Sequence, residues 1–301
     1  NRYLTKSRFK IGLECPTKLY YEGNKEYANQ NIEDSFLLAL AEGGFQVGEL
    51  AKYYYGGGYM ISSLNYAEAL AETNKFLQED KVIIYEAAVQ YDNFFVRTDI
   101  LIKDNEQIKL IEVKAKSVDF TTEDGFLNKS GAIIPAWHAY LYDVAFQKYV
   151  LMKAFPGYKV SAYLMMADKN ALCPTDGLNQ KFKLSKNEQG RTFVTASKDL
   201  SLEDLTMPIL REIQVDGCCD LIYNQPIEAG DNSYSFVDYA KLLSESYKNN
   251  NKLRMPISSM CKDCEYRTTE EEDKAGLKNG FRECWKVCLG WSDEDFVDLT
   301  V

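Results

Sequence analysis

Asp99, Glu112 and Lys114 are the residues whose types and spacing could do chemistry. Residues 94–104 and 107–116 are two β-rich runs joined at Asn105-Glu106, a polar pair that suits a tight hairpin turn. With a two-residue loop, 104 faces 107 and paired positions sum to 211, a sum that Asp99 and Glu112 also meet. The two acids are then cross-strand neighbours on one face, with side chains about 5 Å apart. The period of two places Lys114 on the face of Glu112 and turns Ile111, Val113 and Ala115 the other way. Carboxylates at that spacing repel by about 3 kcal/mol at an effective dielectric near 20, so the pair calls for a compensating cation. Hard carboxylate oxygens suit Mg²⁺ or Mn²⁺, and a lysine beside them can orient or help deprotonate a water. Together these are the requirements of phosphodiester hydrolysis. The plainer alternative is a solvated hairpin face on which Lys114 and Lys116 balance the acids. Phe94, Val96, Ile100, Ile102, Leu110, Ile111 and Val113 argue instead for central strands with a second face to bury.

The surrounding pattern supplies elements to position these groups. A helical pattern from Glu33 carries Phe36, Leu37, Leu40, Phe45, Val47 and Leu50, and ends at Gly56-Gly57-Gly58. Gly43, Gly44 and Gly48 within it predict close packing or a break. Asn65 reads as an N-cap, with Glu68 three residues on, opening an amphipathic helix over 66–79. Strands are expected over 82–91, 94–103 and 108–116, then a helix from Pro135 to Phe155 stopped by Pro156-Gly157, then a strand over 159–166. The order α-β-β-β-α-β across 65–166 predicts an α/β core with a mixed sheet. Beyond it, 182–184 and 192–196 form a small hairpin around Glu188-Gln189-Gly190, while 202–213 and 236–248 read as helices. The corresponding organisation is an N-terminal helical region (1–64), a core (65–170), accessory helices and hairpin (171–255) and a cysteine-rich tail (256–301), in one compact unit.

The acid, the turn and the Glu-x-Lys on the adjoining strand resemble the PD-(D/E)XK nuclease superfamily, and the element order over 65–166 is similar to its restriction-endonuclease-like core. By that resemblance Asp99, Glu112 and the Val113 carbonyl hold Mg²⁺ or Mn²⁺, and Lys114 activates water. Glu86, on the preceding strand, and Glu49, after Gly48 on the first long helix, fall where RecB-like members place further site residues. Each of the two also reads as an ordinary surface acid. Asp143, Gln147 and Leu151 share one face of the helix after Glu-x-Lys. RecB-like nucleases carry Gln-x3-Tyr there, contacting DNA. This chain has Gln147 but Leu151 at the tyrosine position, with Tyr149 as the nearby aromatic, so Gln147 and Tyr149 are the implied nucleic-acid contacts. His138, the sole histidine, reads as a packed or capping residue.

Eight cysteines are present, without an apolar leader, and metal ligation in a reducing cytoplasm is expected before disulfides. Cys261-x2-Cys264 followed by Cys284 and Cys288 would by itself pass as a Zn²⁺ site. Adding Cys15, the split arrangement resembles iron–sulfur RecB-like nucleases, the AddB-type helicase–nucleases and CRISPR-associated exonucleases. The resemblance implies a 4Fe-4S cluster on Cys15, Cys261, Cys264 and Cys284 that staples the two ends, with Cys288 spare. Cys218-Cys219 and Cys173 read as incidental thiols.

The net charge of −10 disfavours indiscriminate adhesion to nucleic acid or anionic membranes, so a nucleic-acid partner must be met by a local basic patch or a metal. No apolar run is long enough to span a membrane. Both ends of the chain read as belonging to a longer polypeptide. The expected activity is a metal-dependent DNA nuclease, an exonuclease by resemblance, with single-stranded DNA among its partners. The alternatives are a degenerate nuclease fold that binds nucleic acid without cutting, and a zinc-stapled structural domain.

Overall fold

The computed structural model describes residues 2–31, 35–119, 125–186 and 192–296, with the backbone alone for 35–40. The chain divides into two compact units: residues 39–223, and residues 1–38 together with 224–301. This corrects the sequence expectation of a single unit divided at 64, 170 and 255. The N-terminal segment spends its aromatic and apolar groups on the C-terminal region instead.

That two-ended unit begins with a short strand β1 (Leu4–Thr5) and helices α1 (Lys6–Glu14) and α2 (Lys18–Tyr21). The larger unit contains α3 (Ser35–Tyr53) from residue 39 on, β2 (Tyr59–Met60), α4 (Tyr66–Phe76), β3 (Lys81–Tyr91), β4 (Phe94–Asp104), β5 (Gln107–Val118), α5 (Pro135–Ala154) and β6 (Lys159–Asp168). The hairpin β7 (Phe182–Lys186) and β8 (Thr192–Ala196), the strand β9 (Leu210–Gln214) and α6 (Asp216–Asn224) complete it. The turn expected at Glu188-Gln189-Gly190 lies outside the described residues. The chain then returns to the first unit through β10 (Ile227–Ala229), β11 (Asn232–Tyr234), α7 (Phe236–Lys248), α8 (Glu270–Lys274) and α9 (Gly280–Leu289).

Six strands of the larger unit lie in the order β2-β3-β4-β5-β6-β9. The β2–β3 and β5–β6 pairs are parallel and the others antiparallel, so the sheet is mixed, as expected. The α-β-β-β-α-β order appears as α4 to β6. Asn65 caps α4 by accepting the Ala67 and Glu68 amides, the reason an asparagine precedes that helix. Asn105, at φ 51°, takes the left-handed turn conformation that asparagine tolerates well.

Ile100, Ile111, Met165, Tyr85 and Leu210 form one buried face of the sheet, covered by Leu50 and Ala51 of α3 and by Leu178 and Phe182. Tyr85 ties α3 down from this face: its hydroxyl donates to the backbone carbonyls of Lys52 (3.1 Å) and Tyr55 at the end of that helix. Gly58 admits the ring, since a Cβ there would lie 2.4 Å from it. Gly43, Gly44 and Gly48 have nothing within 4 Å of a Cβ, and α3 runs through them unbroken, so the close packing or break expected at these glycines is absent.

Residues 202–213 are not a helix. A single 3-10 turn at Glu203–Leu205 gives way to β9, which pairs antiparallel with β6. Pro208 cannot supply a helical N–H, and Ile209, Leu210 and Ile213 suit an added strand. Partly buried ion pairs brace this edge. Lys109 of β5 meets Glu212 of β9, and Lys148 of α5 meets Asp216 at 2.7 Å.

Candidate functional site

The β4–β5 ladder runs from Asp104–Gln107 to Ile100–Ile111, the register expected from the turn. Continued one step, it sets Asp99 level with Glu112, on the face opposite Ile100 and Ile111. Beyond Ile100–Ile111, a side chain takes over from the backbone: the Val113 amide donates to Asp99 Oδ2 at 2.7 Å. Asp99 is partly exposed, whereas Glu112 is only 1% exposed.

Glu112 and Lys114 face α5. This helix is buried almost all round from Asp143 to Leu151, so every polar group on that stretch needs a partner. Gln147, 0% exposed, donates from Nε2 to Glu112 Oε2 at 2.8 Å and to Asp143 Oδ1 at 3.2 Å. Lys114 Nζ donates to Glu112 Oε1 at 2.5 Å and to Asp143 Oδ2 at 2.8 Å. The i, i+4 spacing of Asp143 and Gln147 thus presents a carboxylate and an amide side by side to the Glu-x-Lys strand. The ammonium is clamped between two carboxylates, and the buried Glu112 is oriented through both of its oxygens. The sequence pattern alone assigns Asp143 no role. Its signal is an acid on an apolar helix, one turn before Gln147.

Other sequence candidates are placed differently. Gln147 is fully buried and holds Glu112, so its expected role as a nucleic-acid contact is corrected to one of positioning. Tyr149 is likewise corrected: it is buried, with its ring edge-on to Phe94 at 5.9 Å, and offers no face to a base. Glu49 pairs with Lys52 on its own helix at 2.5 Å, and α3 packs against the sheet face opposite Glu112. Glu49 therefore stays outside the Glu112–Lys114–Asp143 network. Glu86 lies level with Asp99 between the pairs Tyr85–Ile100 and Ala87–Thr98, but at φ 58°. A non-glycine residue in that conformation within a strand stores about 1–3 kcal/mol, a strain that gathers at functional sites. Its carboxylate lies 3.6 Å from Arg97 Nε, whose guanidinium also donates to the Ser63 and Ile61 carbonyls. His138 contacts the Ile133 carbonyl at 3.2 Å and packs against Tyr142, as a capping residue does.

Among the described residues, no three His, Cys, Asp or Glu side chains are grouped as a metal-holding set. Mg²⁺ keeps several waters and takes only one or two protein carboxylates. Asp99 and Glu112 are donors of that kind.

In the two-ended unit, Tyr21, Tyr27 and Tyr266 form a buried cluster against which Cys264 and Cys284 pack. The N-terminal segment is laced to the tail here. Tyr21 donates to the Gly280 carbonyl (3.0 Å), Tyr27 to Glu283 (3.0 Å), and Lys18 pairs with Glu265 (2.6 Å). The two ends of the chain therefore meet, as the staple expectation requires. Burial pushes the Cys264 thiol up to about 11 and raises that of Cys284, on which the charges of Cys15 and Cys288 also act. Cys261 instead accepts the Ser258 amide at 3.5 Å, and the exposed Cys288 donates to the Met255 carbonyl at 3.3 Å. The thiol donors suit a cluster chemically, but among the described residues no three of their sulfurs are gathered about one centre.

No family model matches the chain, and no curated protein matches its sequence. Fold and site define an α/β domain with a mixed sheet and a buried acid–lysine–amide network at one edge of a hairpin ladder.

Proposed function

We propose that this chain is a metal-dependent DNA nuclease with a RecB-like, PD-(D/E)XK type of core. The observation that carries this reading is Lys114, clamped between Glu112 and Asp143 on the strand beside Asp99, whose carboxylate accepts the Val113 amide. Mg²⁺ or Mn²⁺, held by Asp99, Glu112 and the Val113 carbonyl, would offset phosphate charge and lower the pKa of a water. The residues themselves prepare the site. The Val113 amide fixes Asp99, Gln147 fixes Glu112, and Asp143 holds the Lys114 ammonium where it can direct a water toward phosphorus. An iron–sulfur cluster on Cys15, Cys261, Cys264 and Cys284 is the companion proposal, supported by the joining of the two chain ends in one unit.

The test is cleavage of end-labelled single- and double-stranded DNA with Mn²⁺, with EDTA, and with Asp99→Ala. Cleavage that requires Mn²⁺ and disappears in Asp99→Ala is expected. Undiminished cleavage by that variant would place the activity elsewhere. Binding without cutting by the wild type would favour the degenerate binding module.

A further inference from the structure

The register between β5 and β6 shifts just after the proposed catalytic lysine: Lys114 pairs with Met166, but the next pair is Ser117–Ala167. Extra residues in one strand bend it and re-aim its side chains, and such irregularities often lie beside active sites. Here Lys116 is carried onto the N-terminal part of α5. Its Nζ lies 4.0 Å from the centroid of the Trp137 ring and 4.9 Å from that of Tyr140, and it donates to the Ala136 carbonyl at 3.0 Å. Trp137 is buried edge-on against Phe126 at 5.1 Å, so its ring is a fixed wall. Tyr140 stands 5.9 Å from it and is partly exposed, as is Lys116. Tyr140 also lies three residues before Asp143, about one helical turn from the clamp on Lys114.

We infer that Lys116 and Tyr140, backed by Trp137, form a platform for one nucleotide of a single-stranded nucleic acid, next to the scissile position. The inference rests on the nuclease reading of the neighbouring site. A base would stack on the face of the Tyr140 ring away from Lys116, and the ammonium would turn from the Ala136 carbonyl to the adjoining phosphate. A duplex does not fit this chemistry, because its base faces are already stacked on one another. The platform also answers the charge problem of a chain at −10, since it brings a local cation to the strand beside the acids.

Anisotropy of a fluorescein-labelled oligothymidylate in EDTA measures binding apart from cleavage. Tyr140→Ala is expected to weaken binding about five- to hundredfold, and Tyr140→Phe, which keeps the ring, to restore it. Lys116→Ala is expected to weaken binding and to reduce the slope of log affinity against log salt by about 0.7, the share of one phosphate contact on a single strand. With Mn²⁺, the loss in kcat/KM is carried mainly by KM. Circular dichroism checks that the variants fold. If the wild type cuts DNA while folded Tyr140→Ala and Lys116→Ala bind and cut like it, the platform is overturned and the nuclease reading stands. A wild type that neither binds nor cuts overturns both.

Discussion

Lys114→Met removes an ammonium and keeps most of the apolar stem. In the structure that ammonium lies 2.5 Å from Glu112 and 2.8 Å from Asp143. At an effective dielectric near 20, those contacts carry gross attractions of about 7 and about 6 kcal/mol. Removing three charges from water offsets much of this, and breaking a buried pair from one side costs about 3–5 kcal/mol net. Because the Lys114 side chain remains 21% exposed, the lower end applies, about 3 kcal/mol. The variant therefore loses stability as well as activity, which a purely catalytic lysine would not require. Of the three tryptophans, only Trp137 lies in the larger unit, so urea melts of Trp285→Phe/Trp291→Phe protein report on that unit alone. In EDTA the lysine variant should unfold at lower urea with an unchanged slope. Mn²⁺ should then stabilise the variant more than the parent, as a cation takes over the vacated charge role; at a hundred times its own dissociation constant the metal is worth about 2.7 kcal/mol to whichever protein binds it. A variant within about 0.5 kcal/mol of its parent in EDTA would refute the clamp. Indifference of both proteins to Mn²⁺ would refute the metal site.

Further outcomes are expected elsewhere in the molecule. Burial pushes the Asp216 carboxyl up, but the Lys148 ammonium, the Gln214 amide and the Ala162 N–H outweigh it and hold the group below the usual carboxylate range. Its contribution is therefore present above the unfolded-state value and lost as pH falls through the folded one. Asp216→Asn should cost about 3 kcal/mol at pH 7 by orphaning buried Lys148, with the difference from wild type shrinking below about pH 4 in urea melts. Gly280→Ala would bring a Cβ within 2.9 Å of the buried Tyr21 ring. Overpacking of about 1–3 kcal/mol should appear in melts read from Trp285 and Trp291. Protein purified without oxygen should contain iron and sulfide and lose both in Cys15→Ala. Zinc in place of iron, indifferent to that substitution, would instead favour a local site within Cys261–Cys288.

The hairpin register was legible in the sequence because its causes are local. A two-residue turn at Asn105-Glu106 and a period of two determine the ladder from Asp104–Gln107 to Ile100–Ile111, and so which residues share a face. The same holds for the Asn65 cap, the extent of α5 between Pro135 and Phe155, and the helix Phe236–Lys248, each set by caps, breakers and periodicity within a few residues. What covers a face is decided by distant chain, and here periodicity is silent. Residues 202–213 carry enough apolar groups for a helix, but the open edge of β6 takes their second half as β9. Tyr149 and Gln147 lie on a helix buried on nearly all sides, so one packs on Phe94 and the other satisfies Glu112, and both are buried. Asp143 acquires its role only because β5 brings Lys114 opposite it. Glu49 falls away from the acids because α3 settles on the other side of the sheet. The joining of both chain ends in one unit, and with it the neighbourhood of Cys15 and Cys284, depends on contacts separated by more than 200 residues, such as Tyr21 with Gly280. Local spacing determines which side chains point the same way; only the closure of such distant contacts determines what they meet.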